Sequence, residues 1–269
     1  RLIPDLAHGG ARLLLTSREQ HAGLRIEPLF PEDARLHGLD EAAGAQLFFQ
    51  HSTKAQADPP AHGEFALAIQ RAAAGHPLAI ALLAGEYDVS AVPQEDFLPN
   101  WQDELAVARK FGLAGHHVTF ATAFERSYAH LTPALQRALS ALSIFPFPFF
   151  AEGAAFILDD TLILLEEVPE QKLAAARQTL HELSRRSLLE VENMFEDGTP
   201  ATWRFQPALR QEAARRLGDE AQKESQAKGY ASYGAWFVKL AVDEISKQPA
   251  MARLALASLG ELIRIAEQQ

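Results

Sequence analysis

Arg18 stands at the end of an apolar run, ARLLLTSR, that covers residues 11–18. The run has the continuous apolar character of a strand buried on both faces, as in a parallel sheet covered by helices. Ligands of such sheets lie beyond the carboxyl ends of the strands, where the planar guanidinium group of Arg18 is suited to phosphate oxygens. An ion pair with a surface carboxylate explains the same arginine, so the strand end by itself leaves both interpretations open.

A second stretch reads GHPLAIALLAG and covers residues 75–85. Gly75 follows a helical run and can adopt the left-handed conformation that ends a helix. Pro77 has its φ angle preset for the first turn of the next helix. Taken alone, GHPL therefore predicts a break between two helices and no chemistry.

The order of these stretches resembles the downstream half of the NB-ARC nucleotide switches, which are signal-transduction ATPases of the STAND class. After LLLTSR come LHGLDEAAGAQLF (36–48), GHPLAIALLAG, LTPALQRALSALSIFPFPF (131–149) and RFQPALRQEAARRL (204–217). Each motif is short, and their succession in the family's order gives the resemblance, which spans roughly residues 1–218.

The resemblance implies roles for three residues. Arg18 would be the sensor arginine that reads the terminal phosphate of the nucleotide. Pro77 would correspond to the proline of the family's GLPL motif, which packs near the bound base, and His76 replaces the usual leucine. Gln206 stands where the family often carries a histidine that contacts the diphosphate; its amide can donate a hydrogen bond but carries no positive charge.

A complete ATP site is not present in this sequence. Phosphate-cradling loops need the pattern GxxxxGK[ST], and the sequence contains no Gly-Lys pair. The resemblance therefore implies that ADP or ATP, with Mg²⁺, binds a nucleotide-binding core that precedes these residues in a longer protein, which would also carry an effector domain. These 269 residues are expected neither to bind nucleotide tightly nor to hydrolyse ATP alone, and no catalytic residue is predicted.

Helical periodicity dominates the chain and predicts a mainly α fold. Four blocks are expected: the end of an α/β core (1–37), a small helical domain with GHPL (38–111), a winged-helix domain (112–218) and a helical tail that resembles the start of tetratricopeptide-like repeats (219–269). Two strands, 188–193 and 202–206, are expected to form a hairpin. Helices are predicted at 39–51, 61–74, 77–86, 99–110, 119–129, 132–143, 171–186, 206–217, 221–246 and 250–267.

Charge and composition narrow the classes of partner. The formal net charge is −10, and the predicted hairpin is acidic at Glu192, Glu196 and Asp197, so nucleic acid is an improbable partner. A winged-helix transcriptional regulator and a helical protein-interaction scaffold remain as alternatives to the nucleotide switch. With no cysteine and no apolar run long enough for a membrane span, we expect a cytoplasmic protein that receives a protein or ligand signal through its helical tail.

Other chemistry-like patterns favour structural interpretations. FILDD (156–160) resembles a magnesium-binding strand but lies far downstream of the sensor strand, so we predict a helix end whose aspartates cap a helix beginning near Thr161. His116 and His117 are adjacent and cannot face one metal from a helix, and no metal site is predicted. The cluster FPFPFF (145–150) and the aromatic stripe of the tail are expected to pack in the core.

Overall fold

The computed structural model describes residues 38–110, 116–162, 167–195, 197–218 and 220–244. As predicted, the fold is mainly α with a small two-stranded sheet. Arg18, the predicted strand before it and the predicted helix 250–267 lie outside the described residues. The helices are α1 (Glu41–His51), α2 (Thr53–Ala57), α3 (Pro59–Ala72), α4 (Pro77–Val89), α5 (Gln94–Lys110), α6 (His116–Ala129), α7 (Pro133–Leu142), α8 (Ala151–Leu158), α9 (Glu170–Arg185), α10 (Pro207–Ala214) and α11 (Glu220–Glu244).

Local signals place most helix starts. The carboxylate of Asp40 accepts a hydrogen bond from the backbone N–H of Ala43 at 2.7 Å and so caps α1. Proline occupies the first helical position of α4, α7 and α10, where its missing N–H would have had no partner. Gly75 has φ +67°, the left-handed conformation that its sequence position predicted.

Helix α5 begins at Gln94, earlier than predicted, and contains Pro99. A proline inside a helix removes one backbone hydrogen bond, so prolines are expected at helix starts. For this reason the sequence predicted that the helix begins at residue 99. Phe97 and Trp101 flank it, and both side chains are fully buried. Their burial stabilises the helix by more than the lost hydrogen bond costs, which explains why the helix continues through the proline.

Helices α2 and α8 were not predicted. Helix α8 follows Phe150, which provides no side-chain cap, so the sequence lacks the usual start signal. The FILDD prediction is correct in that Asp159 ends α8, and its carboxylate accepts hydrogen bonds from the backbone N–H and hydroxyl of Thr161. The segment that it caps is a 3₁₀ turn at Asp160–Leu162 rather than an α-helix.

A hairpin of strands β1 (Glu190–Met194) and β2 (Pro200–Arg204) follows α9. The strands pair antiparallel from Glu190 opposite Arg204, and β1 has register shifts on both sides of Asn193. On its other edge, β2 exchanges backbone hydrogen bonds of 2.8 and 2.9 Å between Trp203 and Phe149. Strand β2 is therefore covered on both sides, whereas β1 is the outer strand of the described sheet.

The core is continuous from Gly38 onwards. The described residues from Gly38 on form one compact unit, and buried side chains of residues 38–110 join those of 116–218 in one hydrophobic cluster. Within it, Phe48, Phe65, Tyr87 and Phe97 make a chain of ring contacts with centroids 4.9–6.1 Å apart, which ties α1, α3, α4 and α5 together. The blocks predicted at 38–111 and 112–218 thus share their apolar interior.

Helix α11 packs closely on α8. A Cβ atom added at Gly229 would lie 2.4 Å from the carbonyl oxygen of Phe156, so only glycine permits this approach. Tyr233 and Phe237 are buried on the same face, and the tyrosine contacts Phe145 of the FPFPFF cluster. The predicted core role is confirmed for these residues, whereas Phe147 of the same cluster is 43% exposed and lies outside the core. Like the other described helices, α11 is not long and apolar enough to cross a membrane.

Candidate functional site

The end of helix α9 lies directly against helix α4, the helix that Pro77 begins. A Cβ atom at Gly85 would lie 2.5 Å from the carbonyl carbon of Arg186, so the two backbones touch with no side chain between them. Arg186 is the C-cap of α9, and Ser187 follows with φ +55°. The backbone N–H of Leu188 donates to the carbonyl of Leu183 at 3.0 Å, which closes the helix end with a left-handed residue.

Ser187 also connects α9 to helix α1. Its Oγ lies 3.0 Å from Nδ1 of His51, the last residue of α1. Burial lowers the pKa of His51 from its usual 6.5, and the nearby carboxylate of Glu190 opposes this shift only in part. The imidazole is therefore held in its neutral form at neutral pH. In this form Nδ1 and the hydroxyl of Ser187 can form one hydrogen bond.

Glu190, at the start of β1, interacts electrostatically with His51 and hydrogen-bonds to Gln206. Its Oε1 accepts a hydrogen bond from Nε2 of Gln206 at 2.5 Å, and its Oε2 accepts one from Nε of Arg204 at 2.9 Å. Arg204 Nε lies equally close to a carboxylate oxygen of Glu192. We call His51, Ser187, Glu190, Arg204 and Gln206 the junction cluster.

Pro77 lies at the opposite end of α4 from this cluster. It is exposed at the first position of the helix, and the eight residue-to-residue steps from Pro77 to Gly85 span about 12 Å at the α-helical rise. The preceding His76 stacks on Phe120 of α6 with ring centroids 5.9 Å apart. The backbone N–H of Leu39 donates to the carbonyl of Gly75 at 2.8 Å, so residues 38–39 lie beside the GHPL motif.

A buried carboxylate makes a further contact from α4. Glu86 is 3% exposed, and its Oε1 lies 2.5 Å from Nδ1 of His130, just after α6. Its second oxygen, Oε2, is buried and has no hydrogen-bond partner among the described residues. Two consecutive residues of α4, Gly85 and Glu86, thus fix this helix to α9 and to the end of α6.

The three predicted site residues differ in where they lie and in what they contact. Arg18 lies outside the described residues, so its predicted phosphate contact has no geometry here. Gln206 is the N-cap residue of α10, with its amide donor directed to Glu190. Pro77 begins the helix whose later turns reach α9, so the fold connects Pro77 to the junction cluster through α4 rather than by direct contact.

The junction cluster is suited to holding elements together more than to binding an anion. Glu190 and Glu192 share the single guanidinium of Arg204, and two carboxylates facing one cation disfavour a phosphate at that point. Ser187 is only 7% exposed, so its hydroxyl is not presented to a substrate as a nucleophile. Among the residues that the structure describes, no group of three or more His, Asp or Glu side chains could hold a metal ion.

Sequence reasoning missed most of this cluster. His51 ends a helix, Ser187 follows one, and Glu190 begins a strand, which are positions that each look unremarkable in the sequence. A local signal in the sequence is the arginine pair, Arg185 and Arg186, directly before Ser187.

A comparison of the sequence with models of known protein families gave no match, and a comparison with curated proteins gave none either.

Proposed function

We propose that this chain is the regulatory half of a nucleotide-dependent signalling switch of the NB-ARC type. Residues 38–111 would be its helical domain and residues 112–218 its winged helix, and the two close over a nucleotide-binding core supplied by another part of the protein. A cytoplasmic location goes with this role. The basis is the order of motifs in the sequence together with the packing of these two segments.

The order of elements supports a winged helix. Helices α7, α8 and α9 come first, the hairpin β1–β2 follows, and α10 closes the segment. The bridge between Phe149 and Trp203 adds a short third strand position to the hairpin, which a winged helix provides before its second helix. The hairpin is then the wing, and α9 is the helix that precedes it.

The observation that carries the proposal is the contact between Gly85 and Arg186. Helix α4 carries the GHPL motif at its start, and its middle lies backbone to backbone against the end of α9. A nucleotide that packs on the start of α4 would therefore contact the same helix that packs on the winged-helix segment. Its binding can favour the arrangement in which this packing is present. We expect the ADP form to keep this contact and the ATP form to break it, so that the two segments turn relative to each other as bodies.

The switch would work through the difference in affinity between two states. ADP would stabilise the arrangement in which the two segments cover the nucleotide. ATP, with its γ-phosphate read by Arg18, would favour release and assembly. A ligand shifts such an equilibrium only by its differential affinity for the two states. For Gln206 to contact a diphosphate, its amide would first have to leave Glu190.

Distance measurements test the proposal. These 269 residues contain no cysteine, so within them a pair of labels attaches only at Glu64→Cys on α3 and Ala175→Cys on α9, which are both exposed positions. In the protein that contains the nucleotide-binding core, we expect the label distance to differ between the ADP-bound form and the form with a non-hydrolysable ATP analogue. Identical distances in the two forms would overturn the switch.

A matched pair of substitutions tests whether Arg18 reads the γ-phosphate. Arg18→Ala should abolish the difference between the two nucleotide forms because the γ-phosphate loses its reader. Arg12→Ala, at the beginning of the same apolar run, should leave the difference intact. An unaltered response in Arg18→Ala would remove the sensor role from this residue.

The charge of the hairpin argues against the DNA-binding alternative. Glu190 and Glu192 engage Arg204, and Asp197 is exposed in the turn. A wing that contacts a duplex needs free cations to neutralise phosphates. A salt-dependent duplex titration of this chain should show no binding at moderate ionic strength.

A further inference from the structure

A groove lies between helix α9 and the hairpin, and its lining includes no residue of the junction cluster. Its volume is about 630 Å³. One wall carries Ala174, Arg177 and His181 of α9, and the other carries Phe195, Asp197 and Trp203 of the hairpin. Nothing in the proposed switch uses this groove.

An exposed apolar edge adjoins the groove. Met194 is 63% exposed and Phe195 is 49% exposed, and Val191 on the same strand is also exposed. Large apolar side chains that leave water on association contribute most of the affinity of interfaces. An exposed apolar edge directly beside a concave, partly apolar groove can form a self-complementary surface, in which the same patch of two copies pairs.

The two walls carry opposite charges. Arg177 on α9 is half-exposed, and its nearest carboxylate, Glu170, is 3.4 Å away in an exposed pair. Asp197 in the turn accepts hydrogen bonds from the backbone N–H and hydroxyl of Thr199, which hold the pKa of its carboxyl below the usual value. The groove therefore presents a cation on one wall and a firmly ionised carboxylate on the other.

We propose that the groove binds the hairpin of a second copy of this chain in a two-fold symmetric dimer. In this pair, Met194 of each copy enters the groove of the other, of which Phe195 forms part of one wall. Arg177 then faces Asp197 of the partner subunit, and the symmetry makes the reciprocal pair at the same time. This inference does not depend on the nucleotide switch.

The form of β1 favours side-chain docking over a continuous intermolecular sheet. Register shifts on both sides of Asn193 break the regular spacing of the outer strand. Bulged outer strands resist simple strand addition. The contacts that hold the dimer are therefore expected at the groove and at the apolar edge.

A matched pair of substitutions on one helix tests the surface. Ala174 and Ala175 are both exposed on α9, but only Ala174 lines the groove. Sedimentation velocity of the 269-residue chain over a range of concentrations should show a monomer–dimer equilibrium. Ala174→Gln, which fills the groove with a side chain that suits a helix, should weaken it at least about tenfold. Ala175→Gln should leave it unchanged.

Two results would overturn the dimer surface. One is a chain that stays monomeric at every concentration tested. The other is equal dimerisation of Ala174→Gln and Ala175→Gln, which would place any self-association elsewhere. Binding of a different macromolecule in the groove would also appear as the first of these results, because the chain alone would then not associate.

Charge reversal tests the symmetric pairing. Arg177→Glu and Asp197→Lys should each weaken self-association, because like charges then face each other. An equimolar mixture of the two variants should form heterodimers, since both cross-pairs become complementary again. Folded single variants whose mixture stays monomeric would contradict the pairing. Asp197→Lys loses the hydrogen bonds to Thr199; if circular dichroism shows a disturbed hairpin, the Ala174 and Ala175 pair decides the question.

Discussion

Nδ1 of His51 and Oγ of Ser187 lie 3.0 Å apart, although 136 residues separate them in the chain. The contact joins the last residue of α1 to the turn after α9, beside the backbone contact of Gly85 with Arg186. The hydrogen bond and the close backbone approach specify how the two segments meet, within a contact that is stabilised mainly by apolar burial.

Gly85→Ala should destabilise the chain by about 2 kcal/mol or more, because the added Cβ meets the Arg186 backbone and neither helix can yield without repacking. Gly63→Ala in α3 is the control, since a Cβ there has open space around it. The control should be neutral or stabilising by up to about 1 kcal/mol. Urea unfolding of both variants gives the comparison, and equal stabilities would contradict the close contact.

The stability of the chain should fall with decreasing pH in part because of His51. Its pKa is lowered in the folded state, chiefly by burial. The unfolded chain therefore binds the proton more readily, and this contribution is fully present above the ordinary pKa of 6.5 and is lost as the pH falls through the folded value. His51→Gln should flatten this part of the pH dependence in denaturant unfolding between about pH 7.5 and about pH 5.

The exposed histidine of α9 provides the control for this experiment. His181→Gln should retain the pH dependence of the original chain, since His181 is exposed. If His51→Gln and His181→Gln lose the same stability on acidification, the burial of His51 does not contribute to the pH dependence of the free energy of unfolding.

Asp88→Ala should cost about 2–3 kcal/mol of stability. The carboxylate of Asp88, near the end of α4, accepts hydrogen bonds of 2.6 Å from the hydroxyls of Ser52 and Thr53 and from the backbone N–H of Thr53. It thereby anchors the start of α2 to α4. Thermal unfolding can be compared with that of Asp103→Ala, an exposed position on α5 where we expect less than about 0.5 kcal/mol.

Gly229→Ala tests whether helix α11 belongs to the core. The new Cβ would meet the Phe156 carbonyl oxygen at 2.4 Å, so α11 must shift away from α8. We expect a loss of about 1–3 kcal/mol and a change in the near-ultraviolet circular dichroism of Tyr233, which is buried at this contact. An unchanged spectrum with unchanged stability would mean that α11 does not pack on α8.

The sequence alone determined the helical class and many helix boundaries. Asp40, Gly75 and Pro77 act within one helical turn of their own position, through a side-chain cap, a left-handed φ angle and a preset φ angle. Such effects depend on neighbours that the sequence shows directly. The core role of Tyr233 and Phe237 followed in the same way from helical spacing.

Only the tertiary structure decided which residues meet. The partner of Gln206 is Glu190, the partner of Ser187 is His51, and Gly85 must be a glycine because of Arg186. These contacts depend on where whole helices come to lie, which is set by the summed burial of many apolar side chains rather than by any one residue. The continuation of α5 through Pro99 could not be predicted from the sequence for the same reason. Local helix propensity is overridden by tertiary packing wherever the free energy gained by burial is larger.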